Sequence, residues 1–257
     1  MSELNISFFS QSLLRPVSFR VILPNDQYWD GQEYYEDDLR TLFLLHGFRM
    51  GPTDFFAADA ARHHRTALVM PNGDDSFYLD AEPSDCKYCT YIGKELPDFI
   101  RKTLGLARKR EDTFIAGVSM GGFGALHTAL AYPETFGKTA ALSSALIVHG
   151  IAHMKEGTDN GVANYAYYRR CFGDLETVEE STANPETLVK TLISEKKHLP
   201  DIYMACGTED FLLNENRAFH AFLTENGVQH DYHESKGVHD MNFWAEYMPK
   251  AIEWMTK

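Results

Sequence analysis

The segment Gly-Val-Ser-Met-Gly at 117–121 constrains this chain most strongly, because it joins two elements of different periodicity. The apolar run 113–116 before it is typical of a buried strand, and the pattern 123–130 after it is typical of a helix. A serine between such elements lies on a sharp, strained turn, where side chains two residues away on either side would collide. The pattern therefore predicts a strand, an exposed Ser119 hydroxyl and a helix in direct succession.

Predicted strands and helices alternate along most of the rest of the chain. Strands are predicted at 6–11, 17–23, 41–45, 67–70, 113–116, 139–143, 202–206 and 229–234, and helices at 91–104, 123–130, 213–225 and 241–255. The first two strands are expected to form an antiparallel edge, and the apolar runs that follow are typical of parallel strands buried on both faces. We therefore predict an α/β fold with a mostly parallel sheet, in a single domain over residues 1–257.

Two segments depart from this alternation. Residues 25–38 are acidic and rich in tyrosine, which indicates a surface hairpin or loop. Residues 145–199 have mixed polarity and several short helical patterns, which predicts an inserted cap or lid.

Charge and cysteine content limit the partners and the compartment. The chain has 24 basic and 37 acidic residues, a formal charge of -13 that would repel nucleic acids and anionic membranes. No segment resembles a secretion signal or is long and apolar enough to span a bilayer. Four scattered cysteines are typical of a reducing compartment, so we expect a cytoplasmic protein.

Two residue pairs have spacings that occur in metal sites. Cys86 and Cys89 form a C-x-x-C pair, but no second pair or nearby histidine cluster completes a zinc site. His149 and His153 could share one helical face, although an isolated pair of this kind is more often solvated. We therefore predict no metal, and the chemistry expected of the serine needs no cofactor.

A serine hydroxyl needs a base within hydrogen-bond reach to become a nucleophile at neutral pH. The histidines well beyond the turn are His198, His220, His230, His233 and His239. The first of these precedes the strand expected to supply an acid, and the next three lie in a predicted helix or strand. His239 lies in the loop between the last predicted strand and the last helix, and we predict that it is the base.

The residue that orients the base is expected in the loop 207–211, which follows the strand 202–206. This loop faces the same sheet edge as Ser119, because both follow the carboxyl ends of parallel strands. We predict Asp210, which lies deeper in the turn than the alternative Glu209. Asp240 is a further alternative, but as the neighbour of His239 it is expected to point away.

Attack by a serine creates a negatively charged oxygen that needs preorganised donors. The amide of Met120 is the first expected donor, and the loop after 41–45 supplies the second. We assign the second to Phe48, with Gly47 as the alternative, and expect His46 to be a structural hydrogen-bonding residue. Trp244 is predicted to contact the substrate in an apolar pocket.

Taken together, these motifs resemble the esterase D-like branch of the α/β-hydrolases. The residues that carry the resemblance are 46–48, 114–125, 207–211 and 237–244. The order of elements is similar over nearly the whole chain, and the stretch 114–125 is most similar to the tributyrin esterases. The resemblance implies an α/β-hydrolase fold, with helices on both faces of the sheet and a small cap.

The same resemblance has implications for the site and the reaction. It implies a triad of Ser119, Asp210 and His239, with oxyanion amides from Phe48 and Met120. It further implies a serine carboxylesterase that hydrolyses small acetyl-like, aryl or sugar esters, in a family in which many members form homo-oligomers.

Two alternative functions stay open. S-formylglutathione hydrolases of this branch usually carry a Leu-Thr-Cys type sequence after His-Gly, whereas this chain has Phe-Arg-Met at 48–50. This difference argues against a thioesterase, which is still the nearer alternative to an esterase of oxygen esters. A non-catalytic binding protein on the same fold is the second.

Overall fold

An eight-stranded sheet forms the centre of the molecule. The computed structural model describes residues 1–24, 39–55, 57–82 and 84–257, so the hairpin or loop predicted at 25–38 lies outside the described residues. The strands are β1 (Ser2–Ser10), β2 (Arg15–Leu23), β3 (Arg40–Leu45), β4 (Thr66–Pro71), β5 (Thr113–Val118), β6 (Lys138–Leu142), β7 (Asp201–Gly207) and β8 (His230–Ser235).

The order of the strands across the sheet is β1-β2-β4-β3-β5-β6-β7-β8. The pairs β1–β2 and β2–β4 are antiparallel, and the remaining pairs are parallel. The antiparallel edge and the mostly parallel sheet are thus confirmed. The first strand begins four residues earlier than predicted, at Ser2, because alternating side chains from there onward pair with β2.

Helices cover both faces of the sheet. They are α1 (Ala58–His63), α2 (Tyr88–Thr90), α3 (Leu96–Leu104), α4 (Met120–Ala131), α5 (Val148–Ile151), α6 (Tyr165–Phe172), α7 (Pro185–Ser194), α8 (Leu213–Glu225) and α9 (Met241–Met255). A π-helical turn, Tyr91–Glu95, joins α2 to α3 within the helix predicted at 91–104. Among the described helices, none combines the length and the apolar character that crossing a membrane requires.

Alternate residues of each central strand belong to opposite layers of the core. In β3, Leu42 and Leu44 pack in the layer that contains α1 and α9, whereas Phe43 and Leu45 pack in the layer that contains α3 and α4. All four side chains are buried, which confirms that the apolar run is a strand covered on both faces. Because β3, β5 and β7 run parallel, their carboxyl ends lie at the same edge of the sheet, between the two helical layers.

The segment between β6 and β7 carries α5, α6 and α7. Its Phe172 ring lies 4.8 Å from Phe77 and 5.6 Å from Phe123, measured between ring centroids. His127, on α4, contacts the carbonyl of Thr182 in this segment through Nε2 at 2.8 Å. These contacts fasten the segment to the helix that follows Ser119.

The turn between β5 and α4 brings three backbones into close contact. A Cβ atom added to Gly121 would lie 2.2 Å from the carbonyl oxygen of Leu45, on β3. A Cβ atom added to Gly117 would lie 2.2 Å from the carbonyl oxygen of Gly121. No side chain fits at either position, which explains both glycines of the sequence motif.

We expect Gly121→Ala to lower the free energy of unfolding by about 3 kcal/mol, because the added methyl group must displace backbone rather than a side chain. Urea unfolding followed by circular dichroism measures this change as a lower transition midpoint. Gly51→Ala is the matched control, because an added Cβ there meets no atom within 4 Å. Equal midpoints for the two variants would contradict this account of the turn.

The buried His127 side chain makes stability depend on pH. Burial lowers the pKa of His127 to about 4, so between this value and the ordinary value of about 6.5 only the unfolded chain takes up the proton. Stability should therefore fall as the pH drops through this range, by at most about 1.4 kcal/mol per pH unit. We expect His127→Gln to lose this slope in urea titrations at several pH values. His233→Gln, on an exposed position of β8, should keep it, and an unchanged slope in His127→Gln would disprove the assignment.

Candidate active site

Ser119 lies at the tip of the turn between β5 and α4. Its backbone has φ 56° and ψ -119°, a strained conformation for a residue with a side chain. Two main-chain hydrogen bonds hold it there: its N–H donates to Leu142 at 2.9 Å, and its carbonyl accepts from Ala145 at 3.0 Å. The hydroxyl is thereby presented at the carboxyl edge of the sheet, as the sequence motif predicts.

The His239 imidazole reaches this hydroxyl from the loop between β8 and α9. Its Nε2 lies 2.9 Å from Ser119 Oγ. The loop is held by Asp240, whose carboxylate accepts from the amides of Asn242 and Phe243 and so caps α9. Asp240 therefore caps α9, and the carboxylate that bonds to the His239 imidazole is that of Asp210.

The Asp210 carboxylate holds the other side of the imidazole. Its two oxygens lie 3.0 Å and 2.9 Å from His239 Nδ1. The Asp210 side chain is 0% exposed, compared with 15% for that of His239. Burial alone would raise the pKa of Asp210, but hydrogen bonds from His239 and from the amide of Leu212 outweigh it and lower the pKa. The carboxylate is therefore ionised at neutral pH.

Two aromatic rings flank the His239 imidazole. The Phe211 ring lies 4.5 Å from it and is exposed, and the Trp244 ring lies 5.1 Å from it at 89°. Trp244 is buried, packs edge-on against Phe55, and does not line the cavity beside Ser119. Trp244, which the sequence predicts to contact the substrate, therefore lies on the buried side of the imidazole. Phe211, to which the sequence assigned no role, lies on the open side.

A cavity of about 380 Å³, here called the active-site cavity, opens beside the serine. Aromatic and aliphatic side chains dominate its wall. Its lining residues are Phe48, Phe77, Ser119, Met120, Ala145, Ile147, Gly150, Ile151, Asn160, Val162, Tyr167, Tyr168, Phe211, Leu212, Glu215 and His239. Eight of these lie in 145–199, where no sequence motif distinguished them.

Two backbone amides are available beside the serine. Met120 is the first residue of α4, so its N–H has no acceptor within the helix. Within the described chain, no protein group accepts from the N–H of Phe48, although the next amide, of Arg49, donates to Asp75 at 2.7 Å. Gly47 fits closely against the serine, because a Cβ added there would lie 3.4 Å from Ser119 Cβ.

His46 stabilises the loop after β3 through hydrogen bonds of its ring nitrogens. Its Nδ1 lies 2.8 Å from the carbonyl of Gly47, and its Nε2 lies 2.9 Å from the amide of Gly73. The imidazole is completely buried. These contacts are those expected of a structural hydrogen-bonding residue.

The two residue pairs whose spacing occurs in metal sites, Cys86 with Cys89 and His149 with His153, do not form a metal site in the described residues. Cys86 and Cys89 are free thiols, and Cys89 is buried against His127. His149 and His153 bond to glutamates of the inserted segment instead. Across residues 1–24, 39–55, 57–82 and 84–257, no three or more histidine, cysteine or acidic side chains are arranged to hold a metal ion.

Comparison with known proteins agrees with this geometry. The chain matches the model of the Putative esterase family over residues 10–255. It is 39% identical over 265 residues to the acetyl esterase of Caldicellulosiruptor saccharolyticus, covering 100% of this chain and 99% of that protein.

Two solved structures from Staphylococcus aureus are similar over the whole chain. One is fluorophosphonate-binding serine hydrolase F with substrate bound, at a TM-score of 0.86 and 28% identity, covering 100% of this chain and 98% of that one. The other is the S-formylglutathione hydrolase FrmB, at a TM-score of 0.84 and 28% identity, covering 100% of this chain and 99% of that one. With the sheet order and the turn between β5 and α4 described above, these matches establish that the chain belongs to the Putative esterase family and is a serine esterase of the α/β-hydrolase fold.

Proposed function

We propose that Ser119, His239 and Asp210 form the catalytic triad of a carboxylesterase for short acyl esters. One observation carries the proposal: Ser119 Oγ lies 2.9 Å from His239 Nε2, while Asp210 accepts from Nδ1 on the far side of the same ring. This is the arrangement in which a base takes the hydroxyl proton and a carboxylate fixes the tautomer of that base.

In the first half of the reaction, Ser119 Oγ attacks the ester carbonyl carbon as its proton moves to His239 Nε2. The carbonyl oxygen becomes negative and accepts hydrogen bonds from the amides of Phe48 and Met120. The tetrahedral intermediate then collapses, the C–O bond to the alcohol breaks, and His239 returns the proton to the departing oxygen. The acyl group is left as an ester of Ser119.

In the second half, water replaces the alcohol and His239 takes its proton. The hydroxide attacks the acyl carbon through a second intermediate held by the same amides, and the carboxylic acid leaves as Ser119 recovers the proton. Asp210 stays ionised throughout, because its hydrogen bonds keep its pKa below the ordinary value. Its charge stabilises the imidazolium that forms in each half.

The acyl group expected in this site is short. The support is the name of the relative at 39% identity, an acetyl esterase, together with an apolar cavity of about 380 Å³. Phenols and sugars are the proposed leaving groups, because planar or ring-shaped groups fit against the aromatic wall of the cavity.

Thioester hydrolysis is the second candidate, favoured by the similarity to an S-formylglutathione hydrolase at a TM-score of 0.84. The two candidates differ in the leaving group, not in the nucleophile. A kcat/KM for S-formylglutathione above that for p-nitrophenyl acetate would favour the thioesterase.

Further proposals concern organisation. We propose that the chain is one domain over 1–257 and that 145–199 acts as its cap, supported by the cavity residues that this segment supplies. Four free cysteines support a reducing, cytoplasmic location. A homo-oligomeric state is proposed from the family resemblance alone.

We expect Ser119→Ala to lower kcat/KM for p-nitrophenyl acetate by about 10⁴-fold or more, because the members of a triad act as a unit. Stopped assays of purified protein measure the loss. Circular dichroism should show an unchanged fold, since the substitution removes only a hydroxyl group. Ser194→Ala, on the exposed surface of α7, is the matched control and should keep wild-type activity. A Ser119→Ala rate near that of wild type would mean that another residue is the nucleophile.

A further inference from the structure

Glu215 places a carboxylate in the wall of the active-site cavity. It lies in the first turn of α8, five residues after Asp210, and lines the cavity together with Ser119 and His239. It also lines a second cavity of about 210 Å³, which shares Gly150 with the first. Glu215 therefore stands at the boundary between the two spaces, on the side of α8.

One oxygen of this carboxylate has no partner. Oε2 of Glu215 is buried, and no group of the described chain donates a hydrogen bond to it. The start of a helix favours a negative charge, but two neighbouring donors are engaged elsewhere. The Leu212 amide donates to Asp210, and the Asn216 side chain donates to the carbonyls of Ser144 and Leu212. A carboxylate oxygen out of contact with water and without a donor is costly.

The other carboxylates around the site differ from Glu215 in this respect. Asp210 accepts from His239, and Glu186, in the wall of the second cavity, lies 3.0 Å from His149 Nε2. Of these three carboxylates, only that of Glu215 has a buried oxygen without a hydrogen-bond partner.

The remaining wall of the active-site cavity has the character of a cation-binding site. Five aromatic rings line it: Phe48, Phe77, Tyr167, Tyr168 and Phe211. Among the described residues that line the cavity, none is a lysine or an arginine. The guanidinium groups of Arg49 and Arg170 lie over two of these rings, at 4.9 Å and 5.5 Å from the centroids, but neither residue lines the cavity.

We propose that the active-site cavity binds esters that carry a quaternary or protonated ammonium group, with Glu215 as the counter-ion and the aromatic rings around the cation. An ammonium group in the cavity is attracted by the negative charge of the Glu215 carboxylate and by the faces of the rings. The formal charge of -13 favours the approach of cations to the cavity. This inference rests on the proposed esterase function and adds a substrate class to it.

The test compares esters that differ only in charge. The cationic esters are 2-(trimethylammonio)ethyl acetate and its propyl homologue, and their neutral counterparts are 3,3-dimethylbutyl acetate and 4,4-dimethylpentyl acetate. The readout is the ratio of kcat/KM for the cationic ester to that for its neutral counterpart, which cancels any loss common to both. For the chain length, ethyl or propyl, that gives the larger ratio, we expect a ratio of about 10 in the wild type and a ratio of about 1 in Glu215→Gln.

Glu225→Gln is the matched control. It makes the same change of charge in the same helix, at an exposed position outside the cavity, and should keep the wild-type ratio. A wild-type ratio near 1 at both chain lengths overturns the proposal, and so does a ratio that survives in Glu215→Gln. A preference for 2,3-dihydroxypropyl acetate over all four esters that depends on Glu215 also overturns it, because the carboxylate then serves hydroxyl groups.

Failure of the esterase function is recognised separately, as the absence of hydrolysis of p-nitrophenyl acetate by the wild type. Calorimetry then decides the proposal on binding alone, with choline and 3,3-dimethylbutan-1-ol as probes. Tighter binding of choline to the wild type that is lost in Glu215→Gln supports the cation site. Equal affinities for the two probes overturn it.

Discussion

The site depends on the close approach of three backbones at the turn between β5 and α4. Gly121 lies against the carbonyl of Leu45, and Gly117 lies against that of Gly121, at separations that leave no room for a Cβ atom. This contact holds Ser119 at φ 56°. It also fixes the first amide of α4 and the loop at Gly47 beside the serine. The Ser119 hydroxyl and the candidate oxyanion donors are therefore positioned by backbone packing, before any substrate binds.

The partners of the serine come from loops that follow other strands, and each loop has its own anchor. Asp240 caps α9 and holds the loop of His239, while the Leu212 amide holds Asp210. The segment 210–215 carries both the carboxylate that bonds to His239 Nδ1 and Glu215 in the cavity wall. Asp210 has all its partners within the protein. One oxygen of Glu215 lacks a partner, and the residue lines the cavity beside Ser119.

Features of the fold could be predicted from the sequence where a single local rule determines the structure. The glycines at 117 and 121, the buried run of β3 and the bounds of α9 all follow from steric exclusion or periodicity. Phe211 and Trp244 show the limit, because both flank His239 but only the fold reveals on which side. Trp244 lies on the buried side, where α9 packs it against Phe55. Glu215 carries no signal in the sequence, since a glutamate in the first turn of a helix is ordinary. Its interest arises from its place in the cavity wall and from one buried carboxylate oxygen without a partner, which only the folded chain reveals.

We propose that His239 and the strained turn together activate Ser119 and no other hydroxyl group. Labelling with a fluorophosphonate, digestion and peptide mapping by mass spectrometry test it directly, because this reagent reacts quickly only with an activated serine. The account predicts one adduct per chain, on Ser119, and almost none in His239→Ala. An adduct on a different residue, or unchanged labelling of Ser119 without the imidazole, would contradict it.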